Sequence, residues 1–344
     1  MFKKGKKVNK LQEFQKGKKF QRYFLTFLTS LTFLTFVSSG VVSAAEKGTH
    51  LDRTKVSGGC KSCHKPSGKG KGRIVDLCLK CHGPSGSAEE RAKTSIYSLL
   101  MKRSNHPIID TAKYHKTGEA LPEKDTAMPR HVSCQDCHNA HMTSPRNRLA
   151  SIKGTSLAGA KKMAEKEAEI CYNCHSDSIN LPSSSSNMRL EFDPANASYH
   201  PVERVAKGRS TSLFKDLPQG SFITCTQCHE PHGSDYPPLL RVNYNTADGA
   251  ESLYAYQLCY TCHNRDSILS NESFRGSQSG DYGHKEHIVY QKASCYTCHA
   301  SHGSSTNPHL IEFNPSVVTG AGQYLDYGSG RAQCNLTCHS KVHK

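Results

Sequence analysis

The sequence predicts a mostly irregular, elongated chain with short α-helices and little sheet, built around something other than its own apolar side chains. Three observations lead there. Hydrophobic residues make up 35% of 344, with a mean hydropathy of −0.62, too little for an ordinary core in a chain this long. All 16 cysteines fall in close pairs, so no thiol is left over. Each pair is followed at once by a histidine, and the spacing recurs along the chain.

Seven segments read Cys-x-x-Cys-His: Cys60, Cys63 and His64; Cys78, Cys81 and His82; Cys134, Cys137 and His138; Cys171, Cys174 and His175; Cys225, Cys228 and His229; Cys259, Cys262 and His263; Cys295, Cys298 and His299. An eighth, Cys334, Cys338 and His339, is one residue wider. The pattern is the attachment site of c-type haem. Two thiols add to the porphyrin vinyl groups, and the adjacent histidine binds the iron from below. A rigid macrocycle must meet all three groups, which fixes their offsets. Disulfides need no histidine beside every second cysteine, and partners this close bridge poorly. Zinc ribbons do not need the trailing histidine, and a thioredoxin-like motif occurs once, not eight times. The expected cofactor is therefore eight haem c groups. With about 37 residues per haem after the leader, the porphyrin faces must serve as the core.

The N-terminus opens with nine Lys or Arg and one Glu in residues 1–22, then an apolar run from Phe24 to Val37 diluted by Thr and Ser, then Ser43-Ala44-Ala45. A basic region, a short apolar region and small residues describe a secretory signal over 1–45. Its removal leaves no stable membrane span and takes the chain out of the cytoplasm, to the periplasm, the outer-membrane surface or beyond. The formal charge of +16 then falls to about +8. Two propionates per haem make the holoprotein near neutral when oxidised and acidic when reduced. The lysines are propionate partners rather than a nucleic-acid patch, since no basic-aromatic interleaving is present.

The motifs fall into four haem-pair modules, 46–103, 104–182, 183–270 and 271–344. In three of them the first motif is followed by a second histidine: His141, His232 and His302. In the first module Ser67 stands in that place, and the motif histidines are 18 residues apart against 37, 34 and 40 later. Helices are expected from Ser87-x-x-Glu90, a capping box, to about Met101; over Lys161–Ile170 into Cys171; and from Asp248, as an N-cap with Glu251 in the first turn, through Leu258 into Cys259. Residues 68–72 and 183–186 read as loops.

Twelve histidines lie outside the motifs, and eight irons need sixth ligands. A histidine three residues after a motif histidine cannot cross its own porphyrin, so His141, His232 and His302 are expected on neighbouring irons. His50, His106, His200 and His287 stand upstream of first motifs and serve the other set. The eighth ligand is His115 or His131. Methionine at some irons, with Met128 and Met142 near motifs, is the competing ligation.

At these residues the chain resembles the multihaem c-type cytochromes built from doubled CxxCH modules, most closely at Cys295-Tyr-Thr-Cys-His299-Ala-Ser-His302-Gly-Ser304, with His287 upstream. The resemblance implies bis-histidine haems stacked as a wire and electron transfer in the periplasm or beyond. Redox proteins or extracellular acceptors would be the partners. An octahaem reductase or oxidase of small nitrogen or sulfur compounds is the enzymatic alternative and needs an open iron. A self-assembling cytochrome filament is the third reading.

Overall fold

The computed structural model describes residues 49–53, 56, 58–64, 74–84, 96–109, 132–177, 185–205, 210–217, 220–270, 283–318, 322–327, 332–336 and 340–343. The chain divides into Met1–Glu46 and a second compact unit, Lys47–Lys344, to which all described residues belong. The expected signal, the Ser87–Glu90 helix start, the 68–72 loop, Met128, His115, His131, Cys338 and His339 lie outside the described residues.

The elements are short and few, as the composition dictates. In chain order the helices are α1 (Cys60–Cys63), α2 (Ile74–His82), α3 (Ile96–Leu100), α4 (Cys134–Cys137), α5 (Glu167–Cys171), α6 (Met188–Glu191), α7 (Cys225–Cys228), α8 (Gln257–Tyr260), α9 (Arg265–Leu269) and α10 (Cys295–Cys298). The strands are β1 (Lys153–Thr155), β2 (Lys161–Met163), β3 (Ser198–Tyr199), β4 (Gly303–Ser304), β5 (Gln323–Asp326), β6 (Ala332–Asn335) and β7 (Ser340–His343). They make three small antiparallel sheets, β1–β2, β3–β4 and β5–β6–β7.

The first motif of every module is a single helical turn: α1, α4, α7 and α10. One turn suffices, because residues i and i+3 of a helix share a face, and that places both thiols on one side. The histidine then leaves the helix in extended conformation, and its N–H donates to the first cysteine's carbonyl at 2.8–2.9 Å. Capping boxes start two of these turns. Asp136 accepts from the Ser133 N–H at 2.6 Å, and Gln227 from the Thr224 N–H at 2.8 Å.

Two expected helices differ. Lys161–Met163 is strand β2, paired with β1, and the helix begins only at Glu167. The hairpin wins because Gly159, at φ 85°, closes a turn that helix propensity alone does not reveal. The helix into Cys259 is only α8, and Asp248 does not cap it. Its carboxylate accepts from the Ser294 N–H at 2.9 Å and the Thr297 hydroxyl at 2.7 Å, so it caps α10 in the next module. Glu251 instead pairs with Arg265 and accepts from the Tyr260 hydroxyl at 3.1 Å.

The apolar clusters sit where modules meet. Val75, Leu100 and Ile108 pack with Leu79, Val132 and Cys134. Ala168, Tyr172, Phe192 and Val202 pack with Ile223 and Cys225. Ala255, Tyr256 and Ile288 pack with Tyr260 and Cys295. Each cluster joins the second motif of one module to the first motif of the next, so packing runs across the module boundaries drawn from the sequence.

Candidate functional site

Imidazoles come together in twos. His50 faces His82, His64 faces His141, His106 faces His175, His138 faces His232, His229 faces His302 and His284 faces His299, with ring centroids 6.0–6.3 Å apart. A metal–imidazole bond of about 2.0 Å, with each nitrogen about 1.1 Å from its ring centre, puts two trans imidazoles roughly 6.2 Å apart. The spacing therefore fits one iron between each pair. His200 and His263 lie close enough to couple electrostatically. Among the described residues no three His, Cys, Asp or Glu side chains gather as a bare metal ion would require. Pairs of histidines beside pairs of cysteines fit a haem and do not fit zinc.

The pairs follow two rules. Within a module, the upstream histidine faces the second motif: His50 with His82, His106 with His175. Between modules, the histidine three residues after a first motif faces the preceding module's first motif: His141 with His64, His232 with His138, His302 with His229. In 271–344 it is His284, a histidine outside the expected ligand set, that faces His299. His287, expected with the other set, does not face His299; its Nδ1 meets the Gly283 carbonyl at 2.9 Å.

Hydrogen bonds aim the rings. His106 Nδ1 meets the Pro231 carbonyl at 2.6 Å, and His200 Nδ1 the Ser301 carbonyl at 2.8 Å. Both acceptors sit two residues after a first-motif histidine of the next module. His229, His299 and His263 engage Pro238, His309 and the Ser212 hydroxyl at 3.0, 2.9 and 2.7 Å. An occupied Nδ1 leaves Nε2 for a metal and fixes the ring plane. Burial, helped by neighbouring imidazoles, pushes His175, His263 and His302 down to about 4 and His284 to about 3. They stay neutral at physiological pH, the form that binds iron.

The backbone locks successive modules together. β3, just before His200, pairs with β4, which follows His302; Ser104, before His106, bridges Ser234 in the same way. Glycine makes this approach feasible. A Cβ on Gly303 would lie 1.8 Å from the Glu191 carbonyl oxygen, and one on Gly233 1.8 Å from that of Leu99. The sulfurs of Cys78 and Cys134, of Cys171 and Cys225, and of Cys259 and Cys295 lie beside one another. Glu167 beside Cys171 accepts from the Thr226 N–H at 2.9 Å and hydroxyl at 2.8 Å, holding α7 as Asp248 holds α10. These acids are functional supports that local sequence windows miss, because their partners are 46–59 residues away.

Cys334 lies in the middle of β6, not in a helical turn. The extra residue takes the motif out of the i, i+3 spacing that a single turn serves. Met142 is exposed and lies outside every imidazole pair. No described helix is long and apolar enough to cross a membrane.

Comparison with known proteins agrees. A model of the outer membrane cytochrome MtrC/MtrF-like family, domains II/IV, matches residues 53–235, and one of the doubled CXXCH motif matches residues 219–268. The multiheme cytochrome MtrA of Shewanella baltica (strain OS185) is 23% identical over 294 residues, covering 83% of this chain and 67% of the relative. No solved structure matches. The protein is a multihaem c-type cytochrome with covalently bound haem, and, since the first match spans more than half of the chain, it belongs to the outer membrane cytochrome MtrC/MtrF-like family, domains II/IV.

Proposed function

We propose that this protein carries electrons along eight bis-histidine c-type haems, in the periplasm or at the outer cell surface, toward redox proteins or extracellular acceptors. Bound haem supplies a one-electron iron couple, and the protein sets its ligation, spacing and exposure. The carrying observation is the six imidazole pairs at 6.0–6.3 Å. Three of those pairs span two modules, so one iron's two ligands fasten neighbouring modules together.

The cysteines of each motif would anchor the macrocycle, and the facing histidines would close both axial positions. His200 would serve with His263. The within-module rule then gives His287 to the eighth iron with His339, and it leaves His115 and His131 without an iron. A carrier is favoured over a reductase because six of the seven described motif histidines have a second imidazole facing them. An enzyme needs an iron with one side open.

Intact mass and a paramagnetic resonance spectrum of the mature protein test this. Eight haem masses and low-spin iron throughout are expected. Seven haems would mean failure at Cys334 and Cys338. A high-spin iron that responds to nitrite or hydroxylamine would favour the enzyme.

A further inference from the structure

Along the sequence, positive charge is concentrated in the segment that carries the first two motifs. Residues 46–82 carry nine Lys or Arg against Glu46, Asp52 and Asp76, a net +6; residues 83–344 carry 27 basic and 25 acidic, a net +2. Thus 37 residues hold three quarters of the charge left after the leader. Four propionates would need about four cations, and this segment has nine. By charge counting the first haem pair stays positive, about +4 oxidised and +2 reduced. The remaining six haems bring the rest of the chain to about −4 oxidised and −10 reduced.

The segment's first motif is the most open of the described motifs. Cys60, Lys61, Ser62, Cys63 and His64 are all exposed, and α1 has no buried residue. The later motifs at Cys171, Cys225, Cys259 and Cys295 have every cysteine partly covered. The exposed Arg53 side chain lies against Gly59, directly before Cys60. Lys61 stands inside the motif, and Lys80 inside the second.

We propose that the surface at the first two motifs, where Arg53, Lys61 and Lys80 are exposed, is the docking site of an acidic redox protein. It rests on the electron-carrier reading above and names the partner's chemistry and the point of contact. A positive segment in an otherwise negative holoprotein orients an acidic partner during approach: the segment attracts it and the rest repels it. That brings the partner to the motif whose attachment residues are most exposed. Charge pairs at the rim of such a contact act mainly on the rate of association. The contact should therefore weaken steeply with salt.

The test uses purified holoprotein and a fluorescently labelled decaglutamate peptide as the acidic probe, with binding read by anisotropy. Arg53→Glu/Lys61→Glu should weaken binding at low salt by about tenfold or more, as expected for rim charges facing an opposite charge. Lys215→Glu/Lys292→Glu, the same charge change at two exposed lysines elsewhere, should change it less than about twofold. Equal effects of the two pairs, or binding indifferent to salt, would overturn the proposal. So would salt-sensitive self-association of the protein abolished by the first pair, which would assign the surface to a second copy of this chain. Haem content and visible spectrum, read on the same samples, test the carrier reading separately, because anisotropy needs no redox activity.

Discussion

The joint between Cys171 and Cys225 and the segment Cys60–His64 carry the same motif in opposite surroundings. At the joint Tyr172 is 0% exposed, and Phe192, Val202 and Ala168 close around it. Glu167 reaches across to cap α7, and Lys166 pairs with the buried Glu203 at 2.6 Å. At Cys60–His64 every residue of the motif is exposed, and Lys61 stands between its cysteines. The difference teaches where a haem-rich chain spends its few apolar residues. They seal the places where second and first motifs of successive modules meet, and they leave the motif at Cys60–His64 exposed.

A single methyl group should already separate the two regions. Gly303→Ala would drive its Cβ to 1.8 Å from the Glu191 carbonyl oxygen and should cost about 3 kcal/mol or more. Gly59→Ala, at φ 54° with Arg53 3.6 Å away, should cost only about 1–2 kcal/mol, from the left-handed backbone. Urea unfolding of the two holoproteins checks this. Equal costs would mean that the β3–β4 contact gives way easily.

Side-chain truncation sharpens the same contrast. Tyr172→Ala should lose about 3–5 kcal/mol, while Lys61→Ala should stay within about 0.5 kcal/mol. The Tyr172 hydroxyl lies beside Glu203 without hydrogen-bond geometry to any partner. Tyr172→Phe should therefore be neutral or slightly stabilising. A loss above about 1 kcal/mol would show that the hydroxyl is satisfied in the holoprotein.

A smaller effect separates buried from exposed charge. Arg265 beside Glu251 holds that carboxyl below the usual carboxylate range, with the Tyr260 hydroxyl assisting against burial. A lowered folded pKa adds stability that is present above the unfolded value, about 4.3, and is lost as pH falls through the folded value. Glu251→Gln should remove about 1–2 kcal/mol at pH 7, reduced from a fully buried pair because Arg265 is one-third exposed. The mutational difference should shrink below pH 4. Asp235→Asn, which breaks an exposed pair with Lys102, should change stability by less than about 0.5 kcal/mol at either pH.

Much of this was legible in the sequence. Motif chemistry and low hydropathy lead to a sparse fold of short elements. The three-residue step from His229 to His232 is too short to cross one porphyrin, and the structure sets His232 opposite His138. What stayed hidden was the long-range pairing. Lys161–Met163 has helix-forming residues, yet β1 claims it as a strand. Asp248 looks like a cap for the helix that follows it, but serves α10, whose Ser294 is 46 residues further on. His284 and His287 differ by less than one helical turn, and only packing tells which one faces His299. Spacing along the chain encodes local geometry; the joints between modules are made by contacts that no window of sequence contains.

The central claim is that one imidazole from each following module closes an iron of the module before it. The most direct measurement is the spin state of iron in His232→Ala holoprotein. The account predicts eight haems retained and one new high-spin iron, at the haem anchored by Cys134 and Cys137. A wholly low-spin spectrum, or a high-spin iron at the haem anchored by Cys225 and Cys228, would contradict it.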